Sequence, residues 1–154
     1  MQTITCTPIA FVSNTRLIPD DDYWGGIIST ITLTDEFDQE AFLGLSGFSH
    51  VEILFHFHQV AAAEIILTAA IPREQADKYP RLGVFAQRKK LRPNRLGATC
   101  CEIVKIEGTV LTVRGLDAIN GTPVLDIKPV LKQFLPEHIT QPPWVDELMK
   151  DYWK

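Results

Sequence analysis

Cysteine is scarce in this chain: three in 154 residues, two of them adjacent at Cys100 and Cys101. Such a set makes a poor disulfide framework and lacks the paired spacing of a zinc site, so no metal is expected. Positive charge is not in excess either. Fifteen Lys and Arg against nineteen Asp and Glu leave a net charge of −4 and a pI near 5.5. That balance argues against a histone-like protein held on nucleic acid by bulk charge, while leaving room for a local basic patch. No apolar run approaches the ~20 residues of a membrane span. The first eight residues, Met1 to Pro8, lack a basic stretch followed by an apolar one, so no signal peptide is expected. P-loop, Gly-x-Gly-x-x-Gly and Gly-x-Ser-x-Gly motifs are all absent, which removes the usual phosphate cradles and nucleophile elbow and weakens any Rossmann-type reading. The composition that remains, 45% apolar and 22% charged, is ordinary for a globular domain. We expect one cytoplasmic domain over residues 1–154, with a core of about 4–132.

Short β-like runs recur between turn residues. Strands are expected at Ile4–Val12, Ile27–Leu33, Val51–Phe57, Ala98–Glu107, Thr109–Gly115 and Val124–Val130, several rich in Ile, Val, Thr and Phe. Glu107-Gly108 marks a tight hairpin. A short helix fits Phe37–Leu45, with Thr34 or Asp35 as cap. Val60–Ala70 reads as helix or strand. The clearest helix spans about 142–153, opened by Pro142-Pro143, with Trp144, Leu148 and Tyr152 at i, i+4. Asp146 and Glu147 in its first turn and Lys150 and Lys154 at its end suit the helix dipole. Such an aromatic stripe is read as packing on the chain's own fold or on a partner, because a monomer rarely leaves so large an apolar patch in solvent. The fold class is therefore mainly β, a single domain with short helices.

Charge is unevenly spread. Eight of the fifteen cations (Arg73, Lys78, Arg81, Arg88, Lys89, Lys90, Arg92 and Arg95) fall in one stretch interleaved with Pro and Gly, whereas acids gather at Asp20–Asp22. Loops that combine fixed cations with glycines are where anions bind, although most charge runs are only solvated faces. His56 and His58 share a strand face on spacing alone, as does His50, but no third ligand is near and packed histidines are the simpler reading. Cys100-Cys101 reads as buried strand. Asp126 and Lys128, two apart on a strand, are most simply a surface ion pair.

Several ordered motifs carry more information. Pro8-Ile9, Leu43-Gly-Leu45, Phe48-Ser-His50, Phe57-His-Gln59, Gly83-Val-Phe-Ala86 with Arg88, Arg92-Pro-Asn94 and Gly121-Thr-Pro-Val-Leu-Asp-Ile-Lys-Pro129 closely resemble the TsaA-like, YaeB-type family across roughly residues 8–130. The resemblance implies a small β-barrel, a homodimer, and S-adenosylmethionine-dependent methylation of N6 of a modified adenosine in tRNA. It also implies that His58, Gln59 and Arg88 contact the methionine cofactor and that Leu116, Asp117, Ala118 and Ile119 hold its adenosine portion. Cys100 falls at a further cofactor-lining position, and Arg92, Asn94 and Lys128 have supporting or substrate-side roles. Gln87, Arg95, Asn120 and Val130 depart from the family's usual Thr, Pro, Asp and Tyr.

Two functions follow from different classes. The first is methyl transfer, an in-line displacement that mainly needs alignment and an acceptor for one proton. Asp117 and Asp126 are equal candidates for that acceptor. The second is a cofactor-binding or small-substrate protein that does not act on tRNA, favoured by the net charge and by an ending on the aromatic helix. A metal-dependent hydrolase resting on His56 and His58 is a minor third.

Overall fold

The computed structural model describes residues 2–154, and its core is a closed barrel in which every neighbouring pair is antiparallel. Six strands close it in the order β1 (Ala10–Ser13), β2 (Ile28–Leu33), β7 (Val110–Arg114), β6 (Leu96–Glu107), β3 (His50–His56) and β8 (Pro123–Pro129). A small ribbon of β4 (Ala69–Ala70) and β5 (Leu82–Gly83) stands apart. Closure leaves no barrel edge unpaired, the usual answer of small all-β domains to exposed strand edges.

Period-two alternation decides the interior. Val51, Ile53 and Phe55 of β3 face in, as do Val12, Ile31, Leu111, Val113 and Val124. Along β6 the same rule splits the adjacent cysteines: Cys101 is 1% exposed, whereas Cys100 lies on the outer face. The expectation that both are buried fails for Cys100, because neighbours on a strand cannot share a face. Gly97 pairs with Phe55 across the β3–β6 ladder, and a Cβ at Gly97 would occupy the space of the Phe55 ring. The expected β6–β7 hairpin forms, but its turn is Gly108-Thr109, one residue later than Glu107-Gly108, with Gly108 at φ 58° in the first central position, where a type II′ turn requires a positive φ.

Several boundaries differ from expectation. β1 starts at Ala10, not Ile4, because Ala10 pairs with Leu33, the last residue of β2, and residues 2–7 have no ladder to join. The helix expected at Phe37–Leu45 is two one-turn 3₁₀ helices, Gln39–Phe42 and Leu45–Gly47, the first capped by Asp38 rather than Thr34 or Asp35. Val60–Ala70 holds a 3₁₀ turn at Ala62–Glu64 and then β4. The C-terminal helix, α1, covers only Trp144–Met149. Beyond it the chain tightens into turns, with Tyr152 N–H donating to the Met149 carbonyl at 3.1 Å and Lys154 to Asp151 at 3.3 Å.

Alternating strand direction sorts the connections. One end of the barrel carries residues 14–27, the long excursion 57–95, and the loop 115–122; the other carries 34–49 and the Gly108 hairpin.

Candidate functional site

The first of these ends collects His58, Gln59, Arg88, Arg92, Asn94 and Leu116–Ile119, residues far apart in sequence. Its centre is the loop between β7 and β8. Leu116, Ala118 and Ile119 are buried, and Asp117 between them turns its carboxylate the other way. One carboxylate oxygen accepts from the Thr99 hydroxyl on β6, the other from the Tyr152 phenol. On the opposite side Asn14, just past β1, ties the loop down. Its amide nitrogen donates to the Ala118 carbonyl at 2.8 Å and to Ser29 at 2.9 Å, and its backbone N–H donates to Asn120 at 3.2 Å. Gly121 closes the loop at φ 80°, its N–H donating to the Val12 carbonyl at 2.7 Å. A Cβ added there would lie 3.9 Å from His58 Nε2, so the His58-Gln59 turn and the Gly121 turn are neighbours.

Arg88 flanks this loop on the β6 side. Its Nη2 donates to the Ala98 carbonyl. Burial pushes up both the Cys100 thiol and the Tyr152 phenol, and the Arg88 charge opposes that push in each. The Asp117 carboxylate adds to the upward push on Tyr152, so the phenol remains a donor. Cys101, inside the barrel, is likewise pushed up by burial and by Asp117.

Spacing places His56 and His58 on one strand, but β3 ends at His56: Phe57 N–H still reaches the Arg95 carbonyl at 2.8 Å, while the Arg95 N–H turns away to the Arg92 carbonyl at 3.0 Å and the ladder stops. His58 sits in the following turn. Burial lowers the pKa of both histidines, Arg95 and His58 adding to the effect at His56. Among the described residues no three His, Cys, Asp or Glu side chains converge as a metal would require.

The two carboxylates weighed as proton acceptors stand differently. Asp126 lies on the outer face of β8, paired with Lys128 and accepting the Ile127 N–H at 2.9 Å. Lys128 itself sits further along β8, toward the opposite barrel end. Only Asp117 belongs to the loop cluster. The basic stretch is also more occupied than its sequence suggests. Arg92 donates to the Gln87 carbonyl at 2.9 Å, Arg95 to Val60 at 2.7 Å, Lys89 to Ile71 at 3.3 Å, and Arg73 to both Asp22 oxygens at 2.6 and 2.8 Å. These cations fasten the excursion to itself and to the 14–27 loop. Asn94 and Arg95 both hold positive φ, 61° and 53°, a conformation asparagine tolerates and arginine rarely adopts. Asp20 pairs with Arg16 at 2.6 Å, so two of the three acids in that run are neutralised.

Sequence reasoning does not single out Thr99, Tyr152 or Asn14. The signal for Thr99 is its parity with Cys101 on β6. Tyr152 is visible only as part of an aromatic stripe.

A groove of about 440 Å³ opens at the other barrel end, lined by apolar residues including Ile9, Leu33, Phe42, Leu43, Phe48 and Ile127. It contains no titratable side chain and lies away from the polar cluster, which is the better candidate for chemistry.

Comparison with known proteins meets this geometry. A family model described as the tRNA-methyltransferase O N-terminal domain matches residues 14–134. A human protein named tRNA (adenine(37)-N6)-methyltransferase is 38% identical over 105 residues, covering 68% of this chain and 23% of that protein. The Escherichia coli protein of the same name is 40% identical over 96 residues, 60% of this chain and 40% of its own length. A probable S-adenosyl-L-methionine-binding protein of Pyrococcus abyssi is 33% identical over 108 residues, 70% of this chain and 55% of its own. A crystal structure of TrmO from Pseudomonas aeruginosa superposes with a TM-score of 0.75 at 30% identity, covering 94% of this chain and 64% of that one. The chain thus spans between 23% and 55% of the length of these three curated relatives.

Proposed function

The chain belongs to the tRNA-methyltransferase O N-terminal domain family, and on that premise we propose that it is an S-adenosylmethionine-dependent methyltransferase acting on N6 of a modified adenosine in tRNA. The observation that carries this reading is the convergence, at one barrel end, of a fixed carboxylate at Asp117, the guanidinium of Arg88 and the His58-Gln59 turn.

The donor set suits that cofactor. Arg88 offers the N–H groups left free by Ala98 to the methionine carboxylate, a charge-assisted pairing. Asp117 has acceptor capacity for hydroxyl or amino groups of the adenosine, beside the apolar Leu116, Ala118 and Ile119. Cys100, on the outer face of β6 within reach of Arg88's charge, lines the approach. The bound cofactor supplies an electrophilic methyl group on a sulfonium. The residues of this chain hold it, exclude water and align the accepting nitrogen, which accounts for most of what such a displacement requires.

Arg92 and Asn94 serve the substrate side through the loop they build. Lys128 and Asp126, paired with each other on the outer face of β8, take at most a peripheral part in substrate contact. A homodimer in the cytoplasm completes the reading; no described helix is long and apolar enough to cross a membrane.

A second reading, a protein that binds the cofactor without methylating tRNA, is favoured by one observation. Much of the basic stretch already donates to the chain's own carbonyls and to Asp22. Calorimetric titration with S-adenosylmethionine, followed by transfer of radiolabelled methyl to bulk tRNA, separates the two. Binding with transfer supports the enzyme, binding without transfer selects the second reading, and absence of binding overturns both.

A further inference from the structure

The segment that ends in Tyr152 docks at several points on one surface. Tyr23 and Trp24 donate their backbone N–H groups to the Asp151 and Tyr152 carbonyls at 3.0 and 2.8 Å. Arg73, while holding Asp22, also donates to the Leu148 carbonyl at 3.0 Å. Trp144 packs edge-on against Tyr79 with ring centroids 6.2 Å apart, and Trp153 against Tyr152 at 4.8 Å. Gly25 is the seat: any Cβ there would collide with the Trp153 backbone carbonyl, whereas Gly26 beside it has open space. The outcome of this docking is one polar contact, the phenol of Tyr152 on Asp117.

We propose that Tyr152 is a positioning residue of the cofactor site, delivered by the docked segment Trp144–Trp153 to orient the Asp117 carboxylate toward the cofactor's adenosine. This rests on the methyltransferase reading and deepens it. Thr99 and Tyr152 each occupy one lone pair, on different carboxylate oxygens, which fixes the carboxylate plane and leaves one further acceptor site per oxygen. Without Tyr152, one oxygen is left without its partner and the carboxylate is free to rotate toward Thr99. The hydrogen bond joins two parts of the chain 35 residues apart, so docking of the segment and cofactor binding become linked equilibria. Linkage is reciprocal: docking raises cofactor affinity, and the cofactor holds the segment down by the same factor.

Three variants of the full chain test this. Tyr152→Phe keeps the ring against Trp153 and removes only the hydroxyl. Gly25→Ala displaces the segment without touching Asp117, Thr99 or Tyr152. Gly26→Ala is the control. S-adenosylmethionine titrations should show affinity about tenfold weaker for Tyr152→Phe, the scale of one hydrogen bond to a charged group, at least as weak for Gly25→Ala, and unchanged for Gly26→Ala. KM for S-adenosylmethionine should rise by the same factor with KM for tRNA unmoved, a split that a merely structural role would not produce. Tryptic cleavage after Lys150 should be slowed by S-adenosylmethionine in the wild type and much less in Tyr152→Phe. Wild-type binding with equal affinity in all three variants would overturn the proposal while leaving the methyltransferase reading intact. No wild-type binding would overturn that reading and the proposal with it.

Discussion

Arg88 spends one terminal nitrogen on the Ala98 carbonyl, which aims the rest of a planar, five-donor group along the outer face of β6. If Arg88 holds the methionine carboxylate as proposed, replacing it with alanine removes a charge-assisted pairing, and Arg88→Ala should weaken S-adenosylmethionine binding by ~1.5–3 kcal/mol in a protein that still folds. Unchanged affinity by calorimetry would make Arg88 a loop fastener only. The histidines give a second prediction. Burial lowers the pKa of His56 and His58 from 6.5, so the unfolded chain binds protons that the fold excludes. Stability is therefore fully present above about pH 6.5 and declines as the pH falls through the lowered values. Urea denaturation at neutral and mildly acidic pH should show this decline, and a His56→Gln/His58→Gln variant should show less of it. At this scale the site is half legible from sequence. The family resemblance points to Asp117 and Arg88, whereas Thr99 and Tyr152 matter only because folding brings them to Asp117 from 18 and 35 residues away.

Elements follow from alternation wherever a strand has one face in the barrel. That is why the strands expected at Ile27–Leu33, Val51–Phe57 and Ala98–Glu107 sit within two residues of β2, β3 and β6. β1 is shorter because a strand's extent is set by its partner, here β2 ending at Leu33, which its own residues do not report. The aromatic C-terminal helix illustrates the same limit. Its i, i+4 spacing is real, but six residues of α-helix give way to turns because Asp151 and Tyr152 present their carbonyls to Tyr23 and Trp24. Packing within β6 can be tested at Gly97. The Phe55 ring fills the space a side chain would need, so Gly97→Ala forces the ring or the strand to move. We expect a destabilisation of ~1–3 kcal/mol, typical of overpacking a filled core, read as a lowered midpoint in thermal denaturation. An unshifted midpoint would mean the ring has room to turn aside.

The molecule as a whole separates what its charge count blends together. A net −4 hides an excursion, residues 57–95, that carries eight of the fifteen cations at the same barrel end as Asp117. Donating to a carbonyl does not neutralise an arginine, so the fastened cations still contribute to the field there. Direct phosphate binding, however, favours side chains whose charged ends are not already fastened to the chain. Lys78 and Arg81 are exposed and, among the described residues, make no hydrogen bond or ion pair through their side chains, unlike Arg73, Arg92 and Arg95. The Asp20–Asp22 run, which would repel phosphate, has two of its three charges paired with Arg16 and Arg73. On this placement tRNA binding should weaken steeply with salt, because each phosphate that a cation neutralises releases counterions. A Lys78→Glu/Arg81→Glu variant should bind tRNA more weakly at low salt, with the slope of log affinity against log salt reduced by roughly 2, about 1 for each phosphate no longer neutralised. Its affinity for S-adenosylmethionine should not change, because neither side chain belongs to the Asp117 cluster. Filter binding at two or more salt concentrations measures both the affinity and the slope. An unchanged slope would move the tRNA-binding surface off this face of the excursion, and no wild-type binding at low salt, with S-adenosylmethionine present, would leave the cofactor site without its proposed macromolecular substrate.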